Sequence, residues 1–142
     1  MPHPSKRPTS DPIPADGVLA RMLQQTQVDF EVEFFTSILE RSSEFIEVLR
    51  AQAKNLSVKG RYAESMQIDQ RWVRLRPADP LAHYNLACTY ALLKQSELAI
   101  TTLRKAVECG YRDFRHIRED RDFDSIRKDP RFRALLREYD SR

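Results

Sequence analysis

The chain has 142 residues, 41% apolar and 32% charged, with 24 Lys and Arg against 21 Asp and Glu for a net charge of +3. That length suits one domain with a modest core. Acids are interleaved with bases throughout, which describes a solvated mixed-charge surface and argues against a nucleic-acid footprint. Cys88 and Cys109 are too few for a disulfide framework. No CxxC occurs, and His3, His83 and His116 lie far apart in sequence, so no metal site and no cofactor are expected. No apolar run approaches the ~18 residues of a membrane span. The amino terminus has no apolar stretch after its basic residues, as a signal peptide would. A reduced, cytoplasmic protein is the expectation.

Residues 1–16 carry Pro2, Pro4, Pro8, Pro12 and Pro14 and almost nothing to bury, which predicts an extended tail. The rest, 17–142, reads as one helical domain. Asp16 suits an N-cap before a short helix with Val18, Leu19, Met22 and Leu23 on its apolar side. A separate helix over 28–41 follows. Phe30, Phe34 and Ile38 form one stripe on it, and Val28, Val32, Phe35 and Leu39 a second. A helix apolar on two faces calls for neighbours on two sides. Ser42 or Ser43 is the expected cap of the next helix, which runs to Gly60, a residue suited to a left-handed helix end. The return helix stops before Pro77. Asp79 followed by Pro80 is a strong start signal for another helix, and "SELAITTLRKAVECG" from Ser96 supplies its return, ending at Gly110.

Laying 80–113 on 46–79 with a shift of 34 places Ala87 on Ala53, Lys94 on Gly60 and Ala99 on Ser65. Small residues thus recur where two helices would cross at close range, and the turn recurs at the same place. A helix pair repeating at this period, with small residues at the crossings, resembles the tetratricopeptide repeat (TPR) family. The resemblance is carried in 80–113 by His83, Leu86, Ala87, Tyr90, Ala99, Leu103 and Ala106, and in 46–79 by Ala53, Leu56, Gly60, Tyr62, Ser65 and Pro77. The first unit departs at Gln52, Asp69 and Trp72, where that family usually has Leu, a large apolar residue and Ala. Residues 17–45 read as degenerate leading helices. Residues 114–142 are similar to a closing segment found after some bacterial repeat arrays, "DF-x2-IR-x-DPRF-x2-LL". In it Asp129 and Pro130 start a helix presenting Phe132, Leu135, Leu136 and Tyr139 inward, while Phe123 with Ile126 and Phe114 with Ile117 supply shorter turns. A stack of helix pairs needs such a cap at its open end. The expected fold is all-α: a short right-handed TPR-like α-solenoid of two to three helix pairs with capping helices.

The resemblance implies a protein-binding adaptor whose concave groove is lined by the first helix of each pair. The groove positions are Glu47, Arg50, Lys54 and Ser57 from the first pair, and Leu81, Tyr84, Asn85, Cys88 and Leu92 from the second. One end reads as basic and the other as aromatic and apolar, which suits a protein or peptide partner with an acidic or carboxylate end. Arg50, Asn85 and Arg115 fall at positions of a carboxylate clamp known in the family, whereas Lys54 and Glu119 depart from it. Catalytic signals are absent: no glycine-rich phosphate loop, HExxH or GxSxG occurs. His83 and Cys88, five apart on a helix, point about 140° from each other and cannot form a dyad. Asp122, Asp124 and Asp129 lack the calcium-loop spacing and read as caps and surface charges. Two other readings stand beside the adaptor: an RNA-binding module using Arg71, Arg74, Arg76 and the arginine-rich carboxy-terminal cap, and a homodimer formed through Phe34, Phe35 or Trp72.

Overall fold

A computed structural model describes residues 17–41 and 45–140. Every element among them is helical: α1 (Gly17–Arg41), α2 (Ile46–Val58), α3 (Tyr62–Leu75), α4 (Pro80–Leu92), α5 (Ser96–Glu108), α6 (Phe114–Glu119), a 3₁₀ segment (Arg121–Ile126) and α7 (Pro130–Asp140). The proline-rich tail, the Asp16 cap and the Ser42 or Ser43 cap lie outside the described residues. The first described residue before α2 is Phe45, which stands at its cap position without a side-chain cap.

The two leading helices expected from the sequence are one. Between Thr26 and Val28 nothing removes a backbone donor or favours a turn, so the helical ladder of α1 runs on through 25 residues. Among the described residues this helix has a packed neighbour on one face rather than two. Val32 and Leu39 are buried toward α2, where Gln52 donates to Thr36 Oγ1 at 3.0 Å and Asn55 donates to Glu31 at 2.8 Å. Lys59 pairs with Asp29 along the same seam. The other stripe stays in solvent: Phe30 is 65% and Phe34 51% exposed, their rings stacked at 6.1 Å.

Helices α2 and α3 form one hairpin and α4 and α5 a second, with α3 packed on α4. Connections this short leave neighbouring helices antiparallel. The hairpin turns are built alike. Gly60 donates to Ser57 O and Arg61 to Leu56 O, both at 2.9 Å; 34 residues on, Lys94 donates to Ala91 O at 3.0 Å and Gln95 to Tyr90 O at 2.9 Å. These paired bonds close each helix with a left-handed residue, Gly60 at φ +75° and Lys94 at φ +62°. The crossings are small as well: Ser65 is buried and donates to Ala53 O at 3.1 Å, and Ala87 and Ala99 are wholly buried. Asp79 accepts from Leu81 N at 3.0 Å with Pro80 in the first turn, as the sequence predicts.

The main core runs from α4 and α5 into the carboxy-terminal segment. Ile117, Phe123, Ile126, Phe132 and Leu135 join Leu86, Leu103 and Val107 in one cluster. Ser125 donates to Ala91 O at 2.9 Å, Arg104 pairs with Glu138 at 2.9 Å, and α7 lies against α5. Asp129 caps α7 by accepting from Arg131 N at 2.9 Å. The segment therefore covers the end of the second hairpin. In doing so it brings the loop between α6 and the 3₁₀ segment beside the middle of α4.

Candidate functional site: a groove between α2, α4 and the carboxy-terminal segment

Glu47, Arg50, Lys54 and Ser57 recur at three- and four-residue steps, so α2 presents them on one face. They form one wall of a groove of about 580 Å³. The middle of α4 forms the floor with Tyr84, Asn85 and Cys88. Seven of the nine expected groove residues thus meet. Leu81 and Leu92 do not: they stand in the first turn and at the last residue of α4, outside the stretch that faces α2 and the carboxy-terminal segment.

The wall opposite α2 differs from expectation. His116, Asp120 and Asp122 line it, and Ser65 and Asp69 of α3 reach the groove from below. The end expected to be aromatic and apolar is therefore acidic. Tyr84, the aromatic residue placed there from the sequence, is largely buried and serves the fold: its ring stacks on Tyr111 at 4.3 Å and meets Phe123 edge-on at 5.6 Å. Its hydroxyl donates to Asp120 Oδ2 at 2.5 Å. Burial first, then the neighbouring Cys88 and Asp120, raises the phenol well above its ordinary pKa, so it stays a donor.

Cys88 lies deep in the same place, its thiol 3.8 Å from Asp120 Oδ2. Burial, then the charges of Asp120 and Asp122, pushes this thiol well above its ordinary value. It is the opposite of an activated nucleophile. His83 sits apart, its Nε2 2.7 Å from Pro77 O, so the two residues form no dyad. Asp122 is a correction to the surface-charge reading. It is half buried, and its carboxyl is raised by burial and by Asp120, while His116 acts the other way. Asp124 is exposed and pairs with Arg127 at 3.0 Å, as a surface charge would.

In the sequence Asp69 stands out only as a departure from an apolar position. It is 1% exposed. Its Oδ2 accepts from Thr89 at 2.6 Å, and its Oδ1 has no partner among the described residues. Burial raises its carboxyl to about 7, against the lowering effect of the Thr89 bond. On the α2 wall, Arg50 lies 5.5 Å over the Trp72 ring and 3.8 Å from Glu47. Trp72 is itself buried and donates to Asp79 Oδ2 at 3.2 Å, which removes it as a dimerisation surface. The three clamp positions are not brought together. Arg50 and Asn85 line the groove, but Arg115 is exposed and bonds Glu119 at 3.2 Å along α6. Arg71 and Arg74 lie on α3 and Arg76 at its end, away from the groove.

The arrangement is an open groove with a basic wall, an acidic wall and a packed polar floor, carried on two similar helix hairpins. No family model matches the chain. Over 87 residues it is 33% identical to a chloroplastic protein of Arabidopsis thaliana. That match covers 59% of this chain and 26% of the relative, so the chain spans about a quarter of that protein's length. Among the described residues, no helix is long and apolar enough to cross a membrane.

Proposed function

We propose that the protein is a non-enzymatic interaction module of the tetratricopeptide kind, a short solenoid that holds an extended segment of a partner protein in the groove between α2 and α4. One observation carries the reading: two successive hairpins share the same turn bonds and the same small crossings 34 residues apart, and their first helices line one groove. Arg50 and Lys54 offer charge-assisted hydrogen bonds to a carboxylate of the segment. The acidic wall opposite turns the segment so that its acidic group faces α2. Replacing Arg50 and Lys54 together with Glu should abolish partner binding at unchanged helical content, whereas Leu98→Glu, on exposed α5 surface, should leave it intact. Equal recovery of the same partners by the Arg50/Lys54 variant would sink the proposal. Tyr84 is unsuited to this test because its loss would damage the core.

A second reading has its own support in the stacked, exposed Phe30 and Phe34 on α1. An apolar pair of this kind, with no cover among the described residues, suits self-association through α1. Light scattering would then show a doubled mass that Phe30→Ser with Phe34→Ser returns to the monomer value. A monomeric wild-type chain would exclude it.

A further inference from the structure

The acidic wall holds more than a charge pattern. One Cys88 sulfur, one carboxylate oxygen of Asp120 and one of Asp122 all lie within 4.8 Å of one another. His116 Nε2 stands 3.4 Å from Asp120 Oδ2 on the outer side. The four residues come from α4, α6 and the loop and 3₁₀ segment that follow α6, so folding of the carboxy-terminal segment is what assembles them.

We propose that Cys88, Asp120, Asp122 and His116 form a site for a divalent transition-metal ion of the zinc class. The donor set combines thiolate, imidazole and carboxylate, which suits Zn²⁺ and is too soft for Mg²⁺ or Ca²⁺. Zinc bonds of about 2.0–2.3 Å in a tetrahedron put neighbouring ligand atoms about 3.3–3.5 Å apart. The corresponding edges in the structure are 3.8 Å from Cys88 Sγ to Asp120 Oδ2 and 3.4 Å from Asp120 Oδ2 to His116 Nε2. His116 stands outside the three-residue cluster and completes the shell by swinging inward from its exposed position.

Two features beyond the cluster point to a cation. Asp69, 1% exposed, lines the same groove, and its buried Oδ1 lacks any partner among the described residues. A buried carboxylate oxygen without a donor is costly, and positive charge in the groove lowers that cost, although Asp69 itself stands outside the ligand cluster. In addition, the Tyr84 hydroxyl bonds Asp120 Oδ2 at 2.5 Å and leaves that oxygen a second lone pair, the arrangement by which an outer hydrogen bond orients a ligating carboxylate. Binding exchanges the Cys88 thiol proton for the metal, and the proton passes to water.

The full chain, stripped of metal under reducing conditions, should take up one equivalent of Co²⁺ with a near-ultraviolet sulfur-to-cobalt charge-transfer band. Zn²⁺ should displace the cobalt and raise the melting temperature. Cys88→Ala should remove the band, and Asp122→Asn, at a half-exposed position that leaves the core intact, should weaken Zn²⁺ more than tenfold in calorimetry. Cys109→Ser should bind as the wild type does. Absence of the band in the wild-type chain, its loss in Cys109→Ser instead of Cys88→Ala, or undiminished Zn²⁺ affinity in Asp122→Asn would each overturn the proposal. None of these measurements involves a protein partner, so they stand or fall apart from the groove's role in partner binding.

Discussion

Residues 52, 65, 69 and 72 of the first hairpin and residues 86, 99, 103 and 106 of the second stand 34 apart, and all eight are buried. The second hairpin fills these places with Leu86, Ala99, Leu103 and Ala106. The first fills them with Gln52, Ser65, Asp69 and Trp72, and finds a partner for each: Gln52 bonds Thr36, Ser65 bonds Ala53 O, Asp69 bonds Thr89 and Trp72 bonds Asp79. The same frame is thus held once by apolar contact and once by hydrogen bonds that tie it to α1 and α4. The second solution is less complete, because Gln52 Oε1 and Asp69 Oδ1 are left without partners among the described residues. The first hairpin is expected to be the softer of the two, and it carries the basic wall of the groove.

The sharpest break in this comparison is Trp72→Ala, which gives the first hairpin the second's residue. If the frame alone decided packing, the change would be mild. Instead it should cost about 3–5 kcal/mol, because the indole fills a space that nothing else can close. Denaturant unfolding would read the loss, and a midpoint near that of the wild type would show that the two hairpins are interchangeable at this position.

Asp69 separates the hairpins by pH. Its carboxyl is raised from an ordinary 3.8 to about 7 in the folded chain. The folded state therefore holds this proton more tightly than the unfolded state, and unfolding between pH 3.8 and about 7 releases it. Stability falls as pH rises through that window; the cost is absent below it and complete above it. Its full size is on the order of 4 kcal/mol. Asp69→Asn should flatten the profile over this window, and Asp69→Leu, which copies Leu103, should do so and be more stable than the wild type at pH 8. Parallel pH profiles for wild type and Asp69→Asn would contradict the burial.

At the crossing of the second hairpin, Ala87→Leu should force α4 and α5 apart and cost roughly 1–3 kcal/mol. An unchanged melting temperature would mean that the small residue is not what sets the spacing.

These contrasts also mark what the sequence could and could not convey. Helix ends were legible where one residue type dictates the backbone: Asp79 with Pro80, Asp129 with Pro130, and Gly60. The 34-residue spacing gave the turns and crossings, and the family resemblance built on it implied the seven residues that meet in the groove. The continuity of α1 was hidden because the change from one apolar stripe to two looked like a boundary, although no residue there ends a helix. The acidic wall was hidden for another reason. Asp120 and Asp122 lie 32 and 34 residues beyond Cys88. They reach it only because Phe123 and Ile126 bury against α4 and carry them along. Hydrophobic periodicity places the anchors and is silent about the polar residues between them. Asp69 and Trp72 did stand out as departures, but a departure alone does not say whether a polar group will be exposed or bonded inside.

The mildest contrast is also the cleanest, because it involves backbone alone. Gly60 and Lys94 occupy the same left-handed position with the same hydrogen bonds, and they differ in carrying a side chain or none. A Cβ at Gly60 would meet nothing within 4 Å, so no packing term enters at that turn. What remains is the left-handed backbone, which costs a residue with a side chain about 1–2 kcal/mol relative to glycine, offset in part by the greater freedom glycine has in the unfolded chain. Lys94→Gly should therefore stabilise by up to about 1 kcal/mol, and Gly60→Lys should destabilise by a similar amount. The double exchange should return close to the wild-type value, since the two turns lie at separate hairpins and share no partner. If Lys94→Gly lowers stability while Gly60→Lys costs the expected amount, then the Lys94 side chain supports its turn by contacts of its own, and the two hairpins are alike in backbone only.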